Sequence, residues 1–218
     1  MAKYRINDIE YPSVTTVLGI LGKGDALVQW AANCAIDYIK ENPDCDLEVA
    51  RKEWRNVRDD AMNIGSEVHH LIEKWIKRDE IIHDIENDIV EKAFNAFREW
   101  ERENIQEWIE TEQTVHRRDL GYAGTLDAVA KMKDGRVLVI DFKVSKGFYD
   151  TYPLQLAAYR AAYEKDVDGM GILLLDKKSG LPKFKEYNEY ARLFACWVDL
   201  LNFYYKFKKR RLKNNNRA

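Results

Sequence analysis

Apolar residues recur at helical spacing in the first half of the chain. Between Asp60 and Lys77, four of them follow one another at steps of four, three and four residues: Ile64, Val68, Leu71 and Trp75. This spacing places them on one face of a helix. Similar patterns predict helices over 14–21, 26–40 and 90–109, and Ser13 precedes the first of these as an N-cap. We therefore expect the first 110 residues to be mainly helical.

Strand-like segments replace the helical pattern after residue 112. They predict three strands, a helix, two strands and a last helix, over 112–117, 123–132, 137–144, 153–163, 170–176, 183–187 and 189–211. This order is typical of an α/β or α+β domain built around a mixed sheet. No repeat or Pro/Gly/Ser-rich linker divides the chain. We expect one domain over 1–218, with a mainly helical part (1–110), a sheet core (111–188) and a C-terminal helix with a basic tail (189–218).

The composition is that of a globular chain. Of 218 residues, 46% are apolar and 33% are charged, and a domain of this length buries about 70% of its unfolded surface without help from disulfides or a structural metal. The three cysteines form no C-x-x-C pair, which argues against a zinc site or an iron-sulfur cluster. The longest strongly apolar run is Ile172 to Leu175, and the N-terminus lacks the apolar core of a signal peptide. We therefore expect no membrane association and an intracellular, cytoplasmic location.

Charge is distributed unevenly although the net charge is only -2. Residues 79 to 112 hold twelve carboxylates against three basic groups, and seven basic residues but no acid occur from Lys206 to the end. A basic end of this kind favours a polyanionic partner. A solvated end that keeps the chain soluble explains the same charges, and both interpretations stay open.

A short loop joins the strands predicted over 123–132 and 137–144, and its length sets their register. If Lys133 to Gly135 form a three-residue loop with the glycine in the left-handed conformation, Met132 pairs with Arg136. A two-residue turn would instead shift the register by one residue and turn every side chain of one strand to the other face.

The three-residue loop brings three charged side chains together. Asp127 then lies opposite Asp141 with Cβ atoms about 5 Å apart, and Lys143 projects from the same face. Two carboxylates this close both ionise only if a cation lies between them, and Mg²⁺ or Mn²⁺ is expected because hard ions prefer oxygen ligands and suit phosphate-ester hydrolysis. Lys143 could position or help deprotonate an attacking water and offset charge in the transition state. An exposed Asp-Lys salt bridge explains the same residues without chemistry, and the shorter turn would place Phe142 opposite Asp127.

The helix predicted over 60–77 carries one histidine that can face the protein. On a helical wheel His69 lies at the edge of the apolar arc and His70 on the solvent side, and Gly65, one turn before His69, would permit close approach. A histidine in this position is more often a core residue than a ligand. After the hairpin, Gln155 and Tyr159 are one helical turn apart on a shared face, although a core tyrosine beside a surface glutamine would look the same.

Four short motifs occur in order along the chain: Gly65 to His69, Gly124 to Asp127, Asp141 to Lys143, and Gln155 to Tyr159. They match the pattern G-x-x-x-H, G-x-x-D, D/E-x-K and Q-x-x-x-Y, and the sequence therefore resembles the PD-(D/E)XK nuclease superfamily, in particular its RecB-like branch, which includes phage and mitochondrial exonucleases. Tyr11 to Thr15 also looks like an opening segment of phage members and of the mitochondrial genome-maintenance exonuclease. The resemblance implies a restriction-endonuclease-like αβββαβ core, which agrees with the predicted strand order.

The resemblance also implies roles for single residues. It implies that four of them bind a divalent metal ion, Mg²⁺ or Mn²⁺: His69, Asp127, Asp141 and, through its backbone carbonyl, Phe142. Lys143 would be the catalytic lysine, Gln155 and Tyr159 would contact DNA or support the site, and Glu112 lies on the first strand, where many relatives have a glutamate. The chain lacks the four cysteines of iron-sulfur relatives and has no P-loop, so we expect neither an iron-sulfur cluster nor a nucleotide cofactor.

These residues lead to the hypothesis of a Mg²⁺- or Mn²⁺-dependent deoxyribonuclease, more specifically an exonuclease acting on DNA ends or single strands in recombination, repair or phage DNA processing. Lys146, Tyr149 and the basic tail are candidates for holding the DNA, because phosphates attract basic groups and bases stack on aromatic rings. A recombination or single-strand-binding protein would be a partner, and a bacterium or phage-infected host the setting. Two alternatives stay open: a structure-specific or nicking endonuclease on the same site, and a DNA-binding protein without catalytic activity.

Overall fold

The first described residues form a two-stranded hairpin that the helical pattern does not predict. The computed structural model describes residues 3–22, 24–79, 85–176 and 179–215, without the side chains of residues 3 and 208–215. In it β1 (Lys3–Ile6) pairs with β2 (Ile9–Pro12), and Asn7 and Asp8 between them have φ of 47° and 62°. Asn and Asp tolerate this left-handed conformation, which two-residue hairpin turns require. The Asn-Asp dipeptide is thus the sequence signal for this hairpin.

A helical arm follows the hairpin. α1 (Val14–Leu18) begins at Ser13, whose Oγ accepts a hydrogen bond from the Thr16 N–H, so the predicted N-cap is confirmed. A 3-10 turn (Gly19–Leu21) leads to α2 (Gly24–Glu41), α3 (Leu47–Ala50) and α4 (Glu53–Lys77). α2 buries no residue, and the buried residues of α4 all lie in its second half. We call residues 24–67, which lie largely outside the core, the helical arm.

A five-stranded mixed sheet forms the centre of the protein. After α5 (Asp88–Asn104), the chain forms β3 (Ile105–Arg117), β4 (Tyr122–Met132), β5 (Val137–Lys143), α6 (Thr151–Ala162), β6 (Gly169–Leu175), β7 (Pro182–Glu186) and α7 (Tyr190–Asn215). The strands lie side by side in chain order. β5 and β6 run parallel, and the other neighbours are antiparallel.

Helices cover both faces of the sheet. One apolar cluster joins the sheet to α1, α6 and α7, and a second joins it to α4 and α5. The helix, three strands, helix and strand from α5 to β6 have the predicted αβββαβ order, so the predicted mixed α/β fold is confirmed. Within the described ranges, no helix is both long and apolar enough to cross a membrane.

The β4–β5 hairpin has the register that its loop predicts. Gly135 has φ of 91°, and the Met132 N–H donates a hydrogen bond to the Arg136 carbonyl at 2.8 Å. The pairing continues to Ala128 opposite Ile140. The three-residue loop is therefore confirmed, and the alternative two-residue turn is wrong.

Several predicted boundaries are wrong: the helix predicted over 60–77 begins at Glu53, and the strand predicted over 112–117 begins at Ile105. The helix predicted over 90–109 ends at Asn104, and Ile105 already pairs with Met132 as the first residue of β3. Trp108, expected on the helix, lies on the strand, where its ring stacks on Phe97 with centroids 5.8 Å apart. Because α5 and β3 direct apolar side chains into the same cluster, the apolar pattern does not mark the boundary, and pairing with β4 decides it.

Candidate metal centre

The site lies where β4 and β5 separate. Their last paired residues are Ala128 and Ile140. Asp127 precedes Ala128 on β4, and its side-chain carboxylate accepts a hydrogen bond from the Phe142 backbone N–H at 2.7 Å. The backbone carbonyl of Asp127 accepts a second hydrogen bond, from the Thr111 hydroxyl on β3, at 3.0 Å. A side chain therefore takes the place of the next ladder bond. The strands part beside it, and the backbone of Phe142 becomes accessible to α4.

His69 reaches this opening from α4. Its imidazole Nε2–H donates to the Phe142 carbonyl at 3.0 Å, and its Nδ1 lies 3.7 Å from Asp127 Oδ2. The His69 side chain is 27% exposed, against 61% for His70, whose Nδ1 lies 3.9 Å from Glu73. The predicted orientation of the two histidines is thus confirmed. The close approach expected at Gly65 is not found, because a Cβ built there would have no neighbour within 4 Å among the described residues.

Glu112 joins His69 and Asp127 from the edge strand β3. The pairs on either side, Thr111 with Ala128 and Gln113 with Leu126, place Glu112 across from Asp127. Its φ is 50°, a left-handed conformation that is rare for a glutamate in a strand and that indicates local backbone strain. His69, Glu112 and Asp127 each offer a ligand atom, and these three atoms lie within 4.8 Å of one another.

The charges in this cluster are unfavourable without a cation. Burial, followed by the nearby Asp127 carboxylate, raises the pKa of Glu112 to about 7. Two carboxylates in a half-buried place repel each other, and either a proton or a cation relieves the repulsion. The cluster is therefore arranged so that a positive charge stabilises it.

Asp141 and Lys143 form a buried ion pair beside the cluster. Asp141 is fully buried, and Lys143 Nζ lies 2.6 Å from its Oδ2 with the side chain only 17% exposed, so the alternative of an exposed salt bridge is wrong. Burial raises the pKa of the Asp141 carboxyl, and the Lys143 ammonium only partly offsets this. Burial alone would lower the pKa of Lys143, but the charges of Asp141 and Asp127 outweigh it and raise the pKa. The lysine is therefore protonated.

The Asp141 carboxylate still has coordination capacity. Its Oδ1 accepts a hydrogen bond from Gln155 Nε2 at 3.2 Å. Its Oδ2, although close to Lys143, has no partner with hydrogen-bond geometry among the described residues. The Lys143 ammonium balances the charge of this oxygen, and a cation or a water that contacts it would stabilise the buried carboxylate further.

Gln155 and Tyr159 lie beneath the site rather than on its surface. Both are buried, and Gln155 Nε2 lies 3.1 Å from the Tyr159 hydroxyl as well as 3.2 Å from Asp141. The Tyr159 ring occupies the space beside Gly124, where a Cβ would lie 2.5 Å from its Cε1. The glycine of the second motif thus makes room for the tyrosine of the fourth.

Sequence reasoning missed Tyr152. The Lys143 ammonium lies over its ring, 5.1 Å from the centroid, a distance at which a cation is attracted to the ring face. Tyr152 precedes Gln155 by three residues on α6, so helical spacing was the available signal.

The candidates for DNA contact lie outside this cluster. Lys146 and Tyr149 are exposed in the loop after β5, and the Tyr149 ring packs against Tyr152 with centroids 5.3 Å apart. Of the basic tail, Lys206 is exposed, whereas the side chains from residue 208 onward lie outside the described residues. Tyr149 therefore lies on the lysine side of the site through its contact with Tyr152, and Lys146 follows Lys143 by three residues.

The donor set fits a divalent cation such as Mg²⁺ or Mn²⁺. Carboxylate and carbonyl oxygens are the ligands that hard ions prefer, and imidazole is compatible with Mn²⁺. The sequence predicted His69, Asp127, Asp141 and the Phe142 carbonyl as ligands. The structure brings His69, Asp127 and that carbonyl together, adds Glu112, and holds Asp141 with Lys143 and Gln155.

The solved structures that are similar to the chain include an alkaline exonuclease and a second protein, both at low sequence identity. No protein-family model matches the chain, and neither does any curated protein. An alkaline exonuclease, LHK-Exo, from Laribacter hongkongensis is 11% identical over 94% of both chains, with a TM-score of 0.43. A protein named SSO0001 is 16% identical over 77% of this chain and 68% of its own, with a TM-score of 0.34. At these levels of similarity the function has to be argued from the residues of the site.

Proposed function

We propose that the protein is a divalent-metal-dependent deoxyribonuclease. One observation carries the proposal: ligand atoms of His69, Glu112 and Asp127 lie within 4.8 Å of one another beside the buried Asp141–Lys143 pair. Phosphodiester hydrolysis uses this combination, because a cation held by oxygen ligands activates water and a positive group offsets the charge that develops on the phosphate. The resemblance of the four motifs to the PD-(D/E)XK nucleases supports the same function.

The proposed metal ligands differ slightly from those that the resemblance implies. We propose that the ion binds His69, Asp127 and the Phe142 carbonyl. Asp141, which the resemblance also implies, is a fourth ligand, and Glu112 is an additional one. When bound, Mg²⁺ or Mn²⁺ supplies Lewis-acid activation of water and of the scissile phosphate.

Lys143 neutralises charge in this proposal. In the metal-free protein the charges of Asp141 and Asp127 raise the pKa of Lys143, and the ammonium form donates hydrogen bonds to the phosphate. The ammonium has two partners: it forms an ion pair with the Asp141 carboxylate and lies over the face of the Tyr152 ring. Gln155 in turn orients Asp141 through its amide. The lysine is thus positioned before substrate binds, which is how a fixed charge stabilises a transition state at little reorganisation cost.

We further propose exonuclease action on DNA ends or single strands, with a recombination or single-strand-binding protein as a partner. Support for this finer assignment comes from the resemblance to RecB-like exonucleases. The exposed Lys146 and Tyr149 beside the site add a basic and an aromatic group for the strand.

Digestion of matched linear and circular DNA, single- and double-stranded, tests the proposal. Each substrate is incubated with Mg²⁺, Mn²⁺ or EDTA. Asp127→Asn serves as the inactive variant, because an asparagine oxygen can still accept the Phe142 N–H, and His70→Ala serves as the matched active variant. Metal-dependent loss of linear substrates only is expected. Cleavage of circles would assign an endonuclease, and binding without cleavage under either metal would overturn the enzymatic proposal.

A further inference from the structure

The first half of α4 presents a continuous strip that leads to the candidate metal centre. At 100° per residue, six residues between Glu53 and His69 lie within about 60° of His69 around the helix axis. These are Trp54, Arg55, Arg58, Met62, Gly65 and Ser66. Arg55, Arg58, Met62 and Ser66 are exposed, with Met62 at 62%, and Trp54 and Gly65 are half-buried. We call these six residues the α4 strip.

Charge is segregated around this half of the helix. Both of its arginines belong to the α4 strip, whereas its four carboxylates lie about 80° or more away from His69: Glu53, Asp59, Asp60 and Glu67. A helix face with basic groups and no acid attracts a polyanion. The strip covers an arc of about 120° on one helix that is about 10 to 12 Å in diameter with its side chains, so it matches a single strand better than a broad duplex surface.

An aromatic ring organises the two arginines. The guanidinium groups of Arg55 and Arg58 lie 5.4 and 5.2 Å from the centroid of the Trp54 ring. Arg55 has no carboxylate partner among the described residues. Arg58 contacts Asp59 at 2.7 Å, but both side chains are about half exposed, and such pairs contribute little in water. Both charges are thus available to phosphates while the ring keeps them together.

The α4 strip joins the metal centre without interruption. Trp54 lies 15 residues before His69, which corresponds to about 22 Å at 1.5 Å per residue. Next to His69, Gly65 offers no side chain and open space, so a strand can pass close to the helix backbone there. Lys146, from the loop after β5, is close enough to α2 for its charge to lower the pKa of Cys34, although burial raises that pKa overall. The loop after β5 therefore lies near α2 of the helical arm.

We propose that the α4 strip binds single-stranded nucleic acid and leads it to the metal centre. The inference rests on the proposed function for its direction, but the binding itself does not require cleavage. Arg55 and Arg58 contact phosphates, Trp54 and Met62 contact bases, and Gly65 lets the strand approach His69. A stacked strand advances about 3.4 Å per nucleotide, so the strip spans about six nucleotides.

Strand binding measured in EDTA tests the inference separately from cleavage. Fluorescence anisotropy with labelled oligothymidylates of five, ten and twenty nucleotides is recorded over a salt series. The test variant is Arg55→Gln/Arg58→Gln. The control is Arg5→Gln/Arg192→Gln, which likewise removes two exposed arginines. Each of these two pairs with a nearby carboxylate.

The test variant is expected to bind the ten-nucleotide strand about tenfold more weakly. It should also reduce the steepness of log affinity against log salt by about 1.4, because each of the two lost phosphate contacts contributes about 0.7 on single strands. Trp54→Leu is expected to weaken binding about fivefold or more, because it removes the ring on which a base stacks, and to lower the slope by less than the test variant does, because both arginine charges remain. The control is expected to bind like wild type. Circular dichroism checks that all three variants are folded.

Several results would overturn the inference. These are unchanged binding and slope in the test variant, equal losses in the control, or equal strip-dependent binding of duplex DNA. Cleavage by wild type in Mn²⁺ is then measured on the same strands. Strip-dependent binding without any cleavage would leave the inference standing and remove the proposed function, whereas cleavage with strip-independent binding would do the reverse.

Discussion

The Asp127 carboxylate accepts the backbone N–H of Phe142 at 2.7 Å, at the point where the ladder between β4 and β5 has ended. This carboxylate oxygen thereby links β4 to β5 just beyond the last backbone pair between them. The Phe142 carbonyl, on the same residue, receives the His69 imidazole from α4. Phe142, which lies between Asp141 and Lys143, thus contacts both Asp127 and His69 and links three of the four motifs. These contacts explain why the site forms at this position of the sheet.

The buried Asp141–Lys143 pair leads to a prediction about stability. Removing one member leaves the other charge buried without its partner, which costs about 3 kcal/mol for a largely desolvated pair. Asp141→Asn and Lys143→Met are each expected to abolish cleavage and to lower the free energy of unfolding in urea by about that amount. The double variant Asp141→Leu/Lys143→Met is expected to recover most of the stability but no activity. Single variants as stable as wild type would show that water solvates the pair.

Tyr152 is expected to act on Lys143 through its ring rather than its hydroxyl. Tyr152→Phe keeps the ring and should cleave DNA nearly as well as wild type. Tyr152→Leu should lower kcat by roughly 2- to 30-fold, the rate equivalent of a cation–π contact of about 0.5 to 2 kcal/mol. Phenylalanines with increasing numbers of ring fluorines at position 152 weaken the ring quadrupole in steps. A purely structural ring would give no graded decrease of kcat along that series.

Gly124 and Gly65 should respond oppositely to alanine. At Gly124 the new Cβ would lie 2.5 Å from the Tyr159 ring, so Gly124→Ala is expected to cost about 1 to 3 kcal/mol and to disturb the Tyr159–Gln155–Asp141 contacts. At Gly65 the Cβ meets nothing, and alanine in a helix interior should stabilise the fold by about 0.5 to 1 kcal/mol. Thermal unfolding of both variants checks this. Equal effects at the two positions would contradict the described packing.

The stability of the metal-free protein should fall as pH rises from about 4.5 to about 7. Glu112 has a pKa of about 7 in the folded protein against an ordinary value of 4.5. The folded state therefore binds more protons than the unfolded state within this window, and the free energy of unfolding decreases with increasing pH. Glu112→Gln should make that decrease smaller, and the part that remains below about pH 6 comes from Asp141, whose pKa is also raised by burial. Melting temperatures in EDTA between pH 4.5 and 8 provide the measurement.

Divalent cations should reverse this pH effect. A cation and a proton compete for the same carboxylates, so Mn²⁺ is expected to raise the melting temperature more at pH 8 than at pH 5. Asp127→Asn should abolish the increase. A Mn²⁺ effect of the same size at both pH values would argue against binding at Glu112 and Asp127.

His69 and His70 provide a matched pair of variants on one helix. His69→Ala is expected to weaken Mn²⁺ binding by at least about tenfold and to lower cleavage with it, because the imidazole is one of few ligands. His70→Ala should leave both unchanged, since its side chain is mainly exposed and lies beside Glu73. Calorimetric titration of Mn²⁺ into each variant measures the affinities. If His70→Ala were the weaker binder, the assignment of the histidines would be reversed.

Much of the fold could be predicted because its signals are local. The three-residue loop with Gly135 sets the β4–β5 register, and helical spacing separates His69 from His70. The end of α5 could not be predicted, because Ile105 enters a strand through pairing with Met132, a residue 27 positions away in the chain. The hairpin at Asn7 and Asp8 had a local signal that apolar periodicity does not contain.

The sequence by itself determined which residues are candidates for metal binding and catalysis. Their spacing also predicted which face of its helix or strand each one occupies. They are His69, Asp127, Asp141, Lys143, Gln155 and Tyr159. Only the tertiary structure decided how they are used. Asp141 is fully buried with Lys143, Tyr152 lies beneath that lysine, and Glu112 adopts a left-handed conformation next to Asp127. The physical reason is that side-chain facing depends on local geometry, whereas burial, charge pairing and backbone strain depend on elements that meet only when the chain is folded.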